Sequence, residues 1–140
     1  MRYTLLTLTA AALSPVAGIA GDLTVKIDNV RNDQGSVLAA LYDSEASYMQ
    51  QPSARATFKV KAALGEVEYV FHDLPAGKYA LSVFHDENGN GKLDKNFLGI
   101  PKEGYGFSKG ASGRSGPPTF GQAAFDFDGA PQSITITLHY

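Results

Sequence analysis

The chain has 140 residues, no cysteine, a formal charge of −2 and only 12 lysines and arginines, which never cluster. That composition excludes a disulfide-stapled mini-domain and gives no electrostatic basis for holding nucleic acid or an anionic membrane surface. The length suits one domain with its own core, since most domains run to about 100–150 residues.

Residues 1–20 read as a secretory signal peptide. Arg2 supplies the positive start, the stretch from Leu5 to Leu13 is apolar, Pro15 breaks it, and small residues lead up to Gly21. The apolar part is too short to span a bilayer. Cleavage is expected after Ala20, leaving residues 21–140 as a single domain with no membrane insertion and no cysteine for a lipid anchor. An exported domain without disulfides fits a bacterial periplasm, with secretion as the other destination.

From Leu23 onward the apolar residues alternate, which is the signature of strands with one buried face. Leu23, Val25 and Ile27 alternate with Thr24, Lys26 and Asp28; "NDQG" then turns the chain into the more continuously apolar "GSVLAALY". Ser44 is placed to cap one helical turn that Pro52 stops. Phe58 and Val60 predict a third strand, Val67, Tyr69 and Phe71 a fourth, and Tyr79, Leu81 and Val83 a fifth. Between the last two, "DLPAGKY" suggests a sandwich corner at which Tyr79 reaches back to the backbone. Phe125 and Phe127, then Ile134, Ile136 and Leu138, predict two more strands. About seven short strands with almost no helical pattern predict an all-β sandwich.

Residues 87–122 interrupt this pattern. No strand is convincing there, yet Leu98, Ile100, Tyr105, Phe107 and Phe120 punctuate a glycine-rich run. Structureless loops longer than about 12–15 residues tend to be functional or disordered. We expect an ordered excursion packed against the sandwich from Leu98 to Phe107, with "SKGASGRSG" as its mobile tip. Tyr105 and Phe107 share one side of an extended ribbon, with Gly104 and Gly106 leaving the backbone bare. They, with Ile100 and His85, are the candidate ligand or partner surface.

The densest chemistry is "HDENGNGKLD" at the start of that excursion. Against the calcium-loop pattern D-x-[DN]-x-[DN]-G it places Asp86, Asn88 and Asn90 at alternate ligand positions, Gly91 at the turn, the Lys92 carbonyl next and Asp94 at the ninth position. Phe97 stands where an EF-hand has its bidentate Glu, and no helix is predicted before the loop, so an EF-hand is excluded. Glu103 is the candidate additional carboxylate. Ca²⁺ is the candidate ion, with weak affinity. Asn-Gly is equally the strongest short signal for a tight hairpin, so both readings stand.

Other chemistry is sparse. The three histidines, His72, His85 and His139, show no zinc spacing, and the serines of "GASGRSG" lack the context of a nucleophile elbow. No catalytic residues are assigned. An enzyme or small-ligand carrier would need a cleft under the excursion joining His85, Glu103 and Tyr105.

The segment "LPAGKYALSVFHDENGNGKLDKNFLGIPKEGYGFS", with "GSVLAALYDS" before it and "PPTFGQAAFDF" after it, resembles the exported bacterial proteins grouped as domain of unknown function 2141. The resemblance covers nearly all of the mature chain. It implies a periplasmic, immunoglobulin-like or transthyretin-like β-sandwich and no assigned activity. Similar proteins carry acidic residues where this chain has Gly121 and Gln122, so the resemblance supplies no carboxylate there. The "DENGNG" run is also similar, over a shorter stretch, to calcium loops of bacterial surface-adhesin B-type repeats. Together these readings lead to an exported β-sandwich without enzymatic activity. Its loop 86–94 would organise the excursion for contact with an envelope protein or polymer.

Overall fold

The computed structural model describes residues 19–113 and 116–140. The expected signal peptide up to residue 18, and Arg114 and Ser115 in the expected mobile tip, lie outside the described residues.

Alternation turns into burial directly. In β1 (Ala20–Val30) Leu23, Val25 and Ile27 are fully buried, while Thr24, Lys26 and Asp28 face outward. β1 pairs antiparallel with β4 (Gly65–Pro75) and parallel with β8 (Gln132–Thr137), so the first and last strands of the domain lie side by side. The second sheet runs in the order β3 (Ala56–Lys61), β2 (Ser36–Tyr42), β5 (Gly77–Asp86), β6 (Tyr105–Phe107). A short β7 (Phe125–Phe127) pairs with the start of β5. The protein is therefore an all-β sandwich of two sheets and eight strands.

The core fills the space between the sheets. Leu23, Val25, Ile27 and Ile136 from one sheet meet Val37, Leu41, Leu81 and Val83 from the other. Burying each such side chain contributes about 1.5–3 kcal/mol. Aromatics close one side: Phe58 of β3 stacks on Tyr69 of β4, with ring centroids 4.4 Å apart. At the corner between β4 and β5 the Tyr79 hydroxyl donates to the Pro75 carbonyl at 2.6 Å, as expected of a tyrosine that reaches back over a turn.

The excursion has more structure than its sequence suggests. β6 lies within it, followed by a 3₁₀ turn over Ser108–Gly110. The Ser108 hydroxyl is buried, accepting from the Leu81 N–H and donating to the Ala123 carbonyl, so the start of the expected mobile tip is a packed strut. Thr119 opens a helical turn, α1 (Phe120–Ala123), through a capping box with Gln122. That is the structural use of Gln122. Ser44 also caps its turn, its hydroxyl accepting from the Ser47 N–H.

Candidate functional site

The loop of residues 86–94 leaves the end of β5, and the strands around it decide between the two readings of Asn-Gly. Phe84 pairs with Tyr105 and Ser82 with Phe107, so the strand that returns beside β5 starts beyond residue 104. The chain therefore makes no two-residue hairpin at Asn88-Gly89 or Asn90-Gly91. Both glycines nevertheless adopt left-handed φ, +70° and +75°, and curl the loop back on itself.

The curl turns N–H groups of the loop onto two carboxylates, while the Asn88 and Asn90 side-chain oxygens accept from the Asn90 and Lys92 N–H groups. The buried Asp86 carboxylate accepts from the Gly91 N–H at 2.8 Å and from the Asn90 N–H at 3.2 Å. Across the loop, the Asn90 side chain donates to one Asp94 oxygen at 2.7 Å and the Asn88 side chain to the other at 2.5 Å. Hydrogen bonds from Asn90 and then Asn88 hold the Asp94 carboxyl below its usual range. Asn88, Asn90 and Asp94 are thus brought together, through amide N–H groups donating to the carboxylate. Among the described residues no three His, Asp or Glu side chains converge, so a cation held here would depend on carboxamide and backbone oxygens too.

Glu103, the candidate additional carboxylate, reaches back to the loop from the middle of the excursion and acts as a clamp. One carboxylate oxygen accepts from the Glu87 N–H at 2.6 Å and the other from the Asp94 N–H at 3.0 Å. It therefore ties both ends of the loop together from a buried position. Glu87 turns the other way, toward Arg31 and Asn32. Burial pushes the Glu87 carboxyl up, but bonds from Arg31 and Asn32 outweigh this and hold it below its usual value. Arg31, Lys95 and Lys102 share the lining of the depression beside Glu103 with Glu87, Asn88 and Asp94, so its charges are mixed.

Beyond Asp94 the chain forms a second, projecting turn. The Lys102 N–H donates to the Asp94 carbonyl at 2.8 Å and the Asn96 N–H to the Ile100 carbonyl at 2.8 Å. The Asn96 side chain accepts from the Leu98 and Ile100 N–H groups. At its apex Phe97 is 96% exposed, Leu98 69% and Ile100 56%. The expected packing of Leu98 and Ile100 onto the sandwich is not found; the turn is fixed by Asn96 and turned to solvent. Sequence reading noted Phe97 only as the residue in place of an EF-hand Glu and missed its exposure, although "NFLG" between Lys95 and Lys102 carries a turn signal around an apolar centre.

His85 and Tyr105 share no surface. His85 is fully buried on the inner side of β5. Its Nε2 faces the Gln34 carbonyl at 2.6 Å and its Nδ1 the Tyr140 hydroxyl at 2.9 Å. A carbonyl only accepts, so Nε2 carries a hydrogen and donates to Gln34, leaving Nδ1 to share a hydrogen bond with Tyr140. Arg31 lies over the Tyr140 ring, 4.3 Å from its centroid. Tyr105 pairs with Phe84 on the outer side of the same sheet, with Phe107 beside Ser82. A cleft joining His85, Glu103 and Tyr105 is absent among the described residues.

A two-sheet sandwich whose fifth strand opens into a carboxylate-tied loop and an apolar tip is the class these features define. The chain belongs to the family described as an uncharacterized protein conserved in bacteria (DUF2141), matched over residues 25–135. No curated protein and no solved structure matches it. The matched region contains the loop, the clamp and the tip.

Proposed function

We propose that this protein is an exported, non-enzymatic binding module of the bacterial cell envelope. In this reading the loop of residues 86–94 takes up Ca²⁺ weakly and steadies the apolar tip for contact with an envelope protein or polymer. The observation that carries it is the double use of Asp94. Its carboxylate receives Asn88 and Asn90 on the loop side, while its carbonyl anchors the base of the Phe97 turn. An ion drawn to the carboxylate would thereby stiffen the platform under the tip. The donors on offer are the Asp86 and Asp94 carboxylates, the Asn88 and Asn90 carboxamides and the Lys92 carbonyl. With so few carboxylates, an affinity of about 10⁻⁴ to 10⁻³ M is the range to expect.

Exposure of three large apolar side chains at a hydrogen-bonded apex supports partner contact, because contiguous apolar surface on a domain usually marks an interaction site. The non-enzymatic reading is supported by His85, whose two ring nitrogens are both engaged inside the fold. Export is supported by the signal-like sequence of residues 1–20.

The test is fractionation of cells producing the full chain. The wild type should begin at Gly21 by mass spectrometry, sediment with the envelope in Ca²⁺ and be released by EDTA. The double variant Phe97→Ser, Leu98→Ser should melt like the wild type yet stay soluble even with Ca²⁺. An intact Met1 on envelope-extracted protein, or undiminished retention of the double variant, would overturn the reading.

A further inference from the structure

The outer face of the five-stranded sheet holds a cavity of about 380 Å³, to which the 86–94 loop contributes only Leu93. Strand register explains it. One cross-strand row runs Lys59, Leu38, Phe84, Tyr105, and the next runs Thr57, Ala40, Ser82, Phe107. Ala40 and Ser82 are small, so the second row is a trough between Leu38 and Phe84 on one side and Tyr42 on the other. Met49 and Leu93, from the flanking loops, also line it. Met49 sits there with a left-handed φ of +59°, a strained conformation for a residue without a short polar side chain.

We infer that this trough is a binding site for a small apolar molecule bearing one anionic group. Its volume falls in the range of small-molecule sites, about 300–1,000 Å³, and its walls of aliphatic, aromatic and thioether side chains suit an apolar body. Lys59 is the only charged side chain among the residues that line it, and no carboxylate lies within ion-pair distance of that ammonium among the described residues. A carboxylate or sulfonate at the Lys59 end would supply the missing counter-charge while the body lies along Ala40 and Ser82. The site does not require calcium in the 86–94 loop, although Leu93 of that loop is one of its walls. It gives Tyr105 and Phe107 the ligand-facing role their alternation suggested, on the sheet face rather than under the excursion.

The experiment is a fluorescence titration of the folded protein with anilinonaphthalene sulfonate, an aromatic body with one anionic group, followed by competition with dodecanoate and with dodecanol. Binding should saturate at one probe per chain, and dodecanoate should displace it at far lower concentration than dodecanol. Lys59→Glu should weaken probe binding about ten-fold or more, the loss of one charge-assisted contact, at an unchanged melting temperature. The methyl signal of Met49, whose only fellow methionine is Met1, should shift with saturation. Ala40→Leu, which fills the trough, should abolish binding; if that variant fails to fold, Lys59→Glu and the Met49 signal still decide. Absence of saturable binding, equal competition by the alcohol, indifference to Lys59→Glu or an unmoved Met49 methyl would each overturn the inference.

Discussion

Replacing Glu103 by alanine tests whether a single buried carboxylate holds the loop closed. The side chain accepts from two backbone N–H groups, those of Glu87 and Asp94, at 2.6 and 3.0 Å. Hydrogen bonds to a charged group contribute about 1.5–3 kcal/mol each, and removing the shared acceptor strands both donors in a partly buried site. Because the two bonds share one carboxylate their losses do not add fully, so a combined cost of about 3 kcal/mol is the expectation. For a domain of this size that lowers the melting temperature by about 9–18 °C if the loop is coupled to global unfolding. If the loop opens locally instead, the cost appears as faster amide exchange at Glu87 and Asp94 with little change in melting. Glu103→Gln, which keeps one acceptor oxygen, should recover about half of either effect. A Glu103→Ala protein with wild-type melting and wild-type exchange at both amides would refute the clamp.

Three other expectations follow from single contacts. Tyr79→Phe removes the bond to the Pro75 carbonyl and should cost about 1 kcal/mol, read as a lower urea midpoint at unchanged slope; an unchanged midpoint contradicts the corner. Gly106→Ala would bring a Cβ within 2.8 Å of both the Ile136 side chain and the Thr137 carbonyl, and should destabilise by about 1–3 kcal/mol in the same assay; a neutral result would mean β6 does not lie so close to β8. At high pH, burial followed by the neighbouring Tyr42 pushes the Tyr48 hydroxyl up to about 12 from 10.0. The folded state holds that proton more tightly than the unfolded one, so the stabilisation is whole below pH 10 and is lost as pH rises toward about 12. Melting temperatures should fall through that window while phenolate absorbance lags behind that of unfolded protein; a stability flat to its upper end contradicts the reading.

The sandwich was legible because alternation is a local signal. Leu23, Val25 and Ile27 state which face of β1 is buried without reference to any other strand. What stayed hidden depends on contacts distant in sequence. β6 is three residues long, too short for periodicity to register, and exists because Ser82–Phe84 offers it a free edge. The same pairing sends Tyr105 to the outer side of the sheet while His85, one residue beyond Phe84, turns inward. Two residues expected to share a surface are thus separated by the sheet itself. Phe97, Leu98 and Ile100 mislead for a different reason. Apolar residues are read as buried by default, and only the Asn96 bonds that fix the turn show them facing outward. The folding-back of Glu103 was inferable from charge and spacing, but its two N–H partners were not, since they sit nine and sixteen residues away.

The central claim is that the loop of residues 86–94 binds calcium and is more than a bend in the chain. A ligand that binds only the folded state stabilises it by RT ln(1 + [L]/Kd), so about 10 mM Ca²⁺ against a Kd of about 10⁻⁴ to 10⁻³ M adds about 1.4–2.7 kcal/mol. Thermal melts of metal-free protein should therefore rise by about 4–15 °C in Ca²⁺ and much less in Mg²⁺, which demands near-ideal octahedral geometry and gives up water reluctantly. Asp86→Ala and Asp94→Ala should erase most of the calcium response, and Glu87→Ala, whose side chain turns toward Arg31, should keep it. A melting temperature indifferent to both calcium and EDTA in verified metal-free protein would contradict the account and leave "HDENGNGKLD" a structural loop.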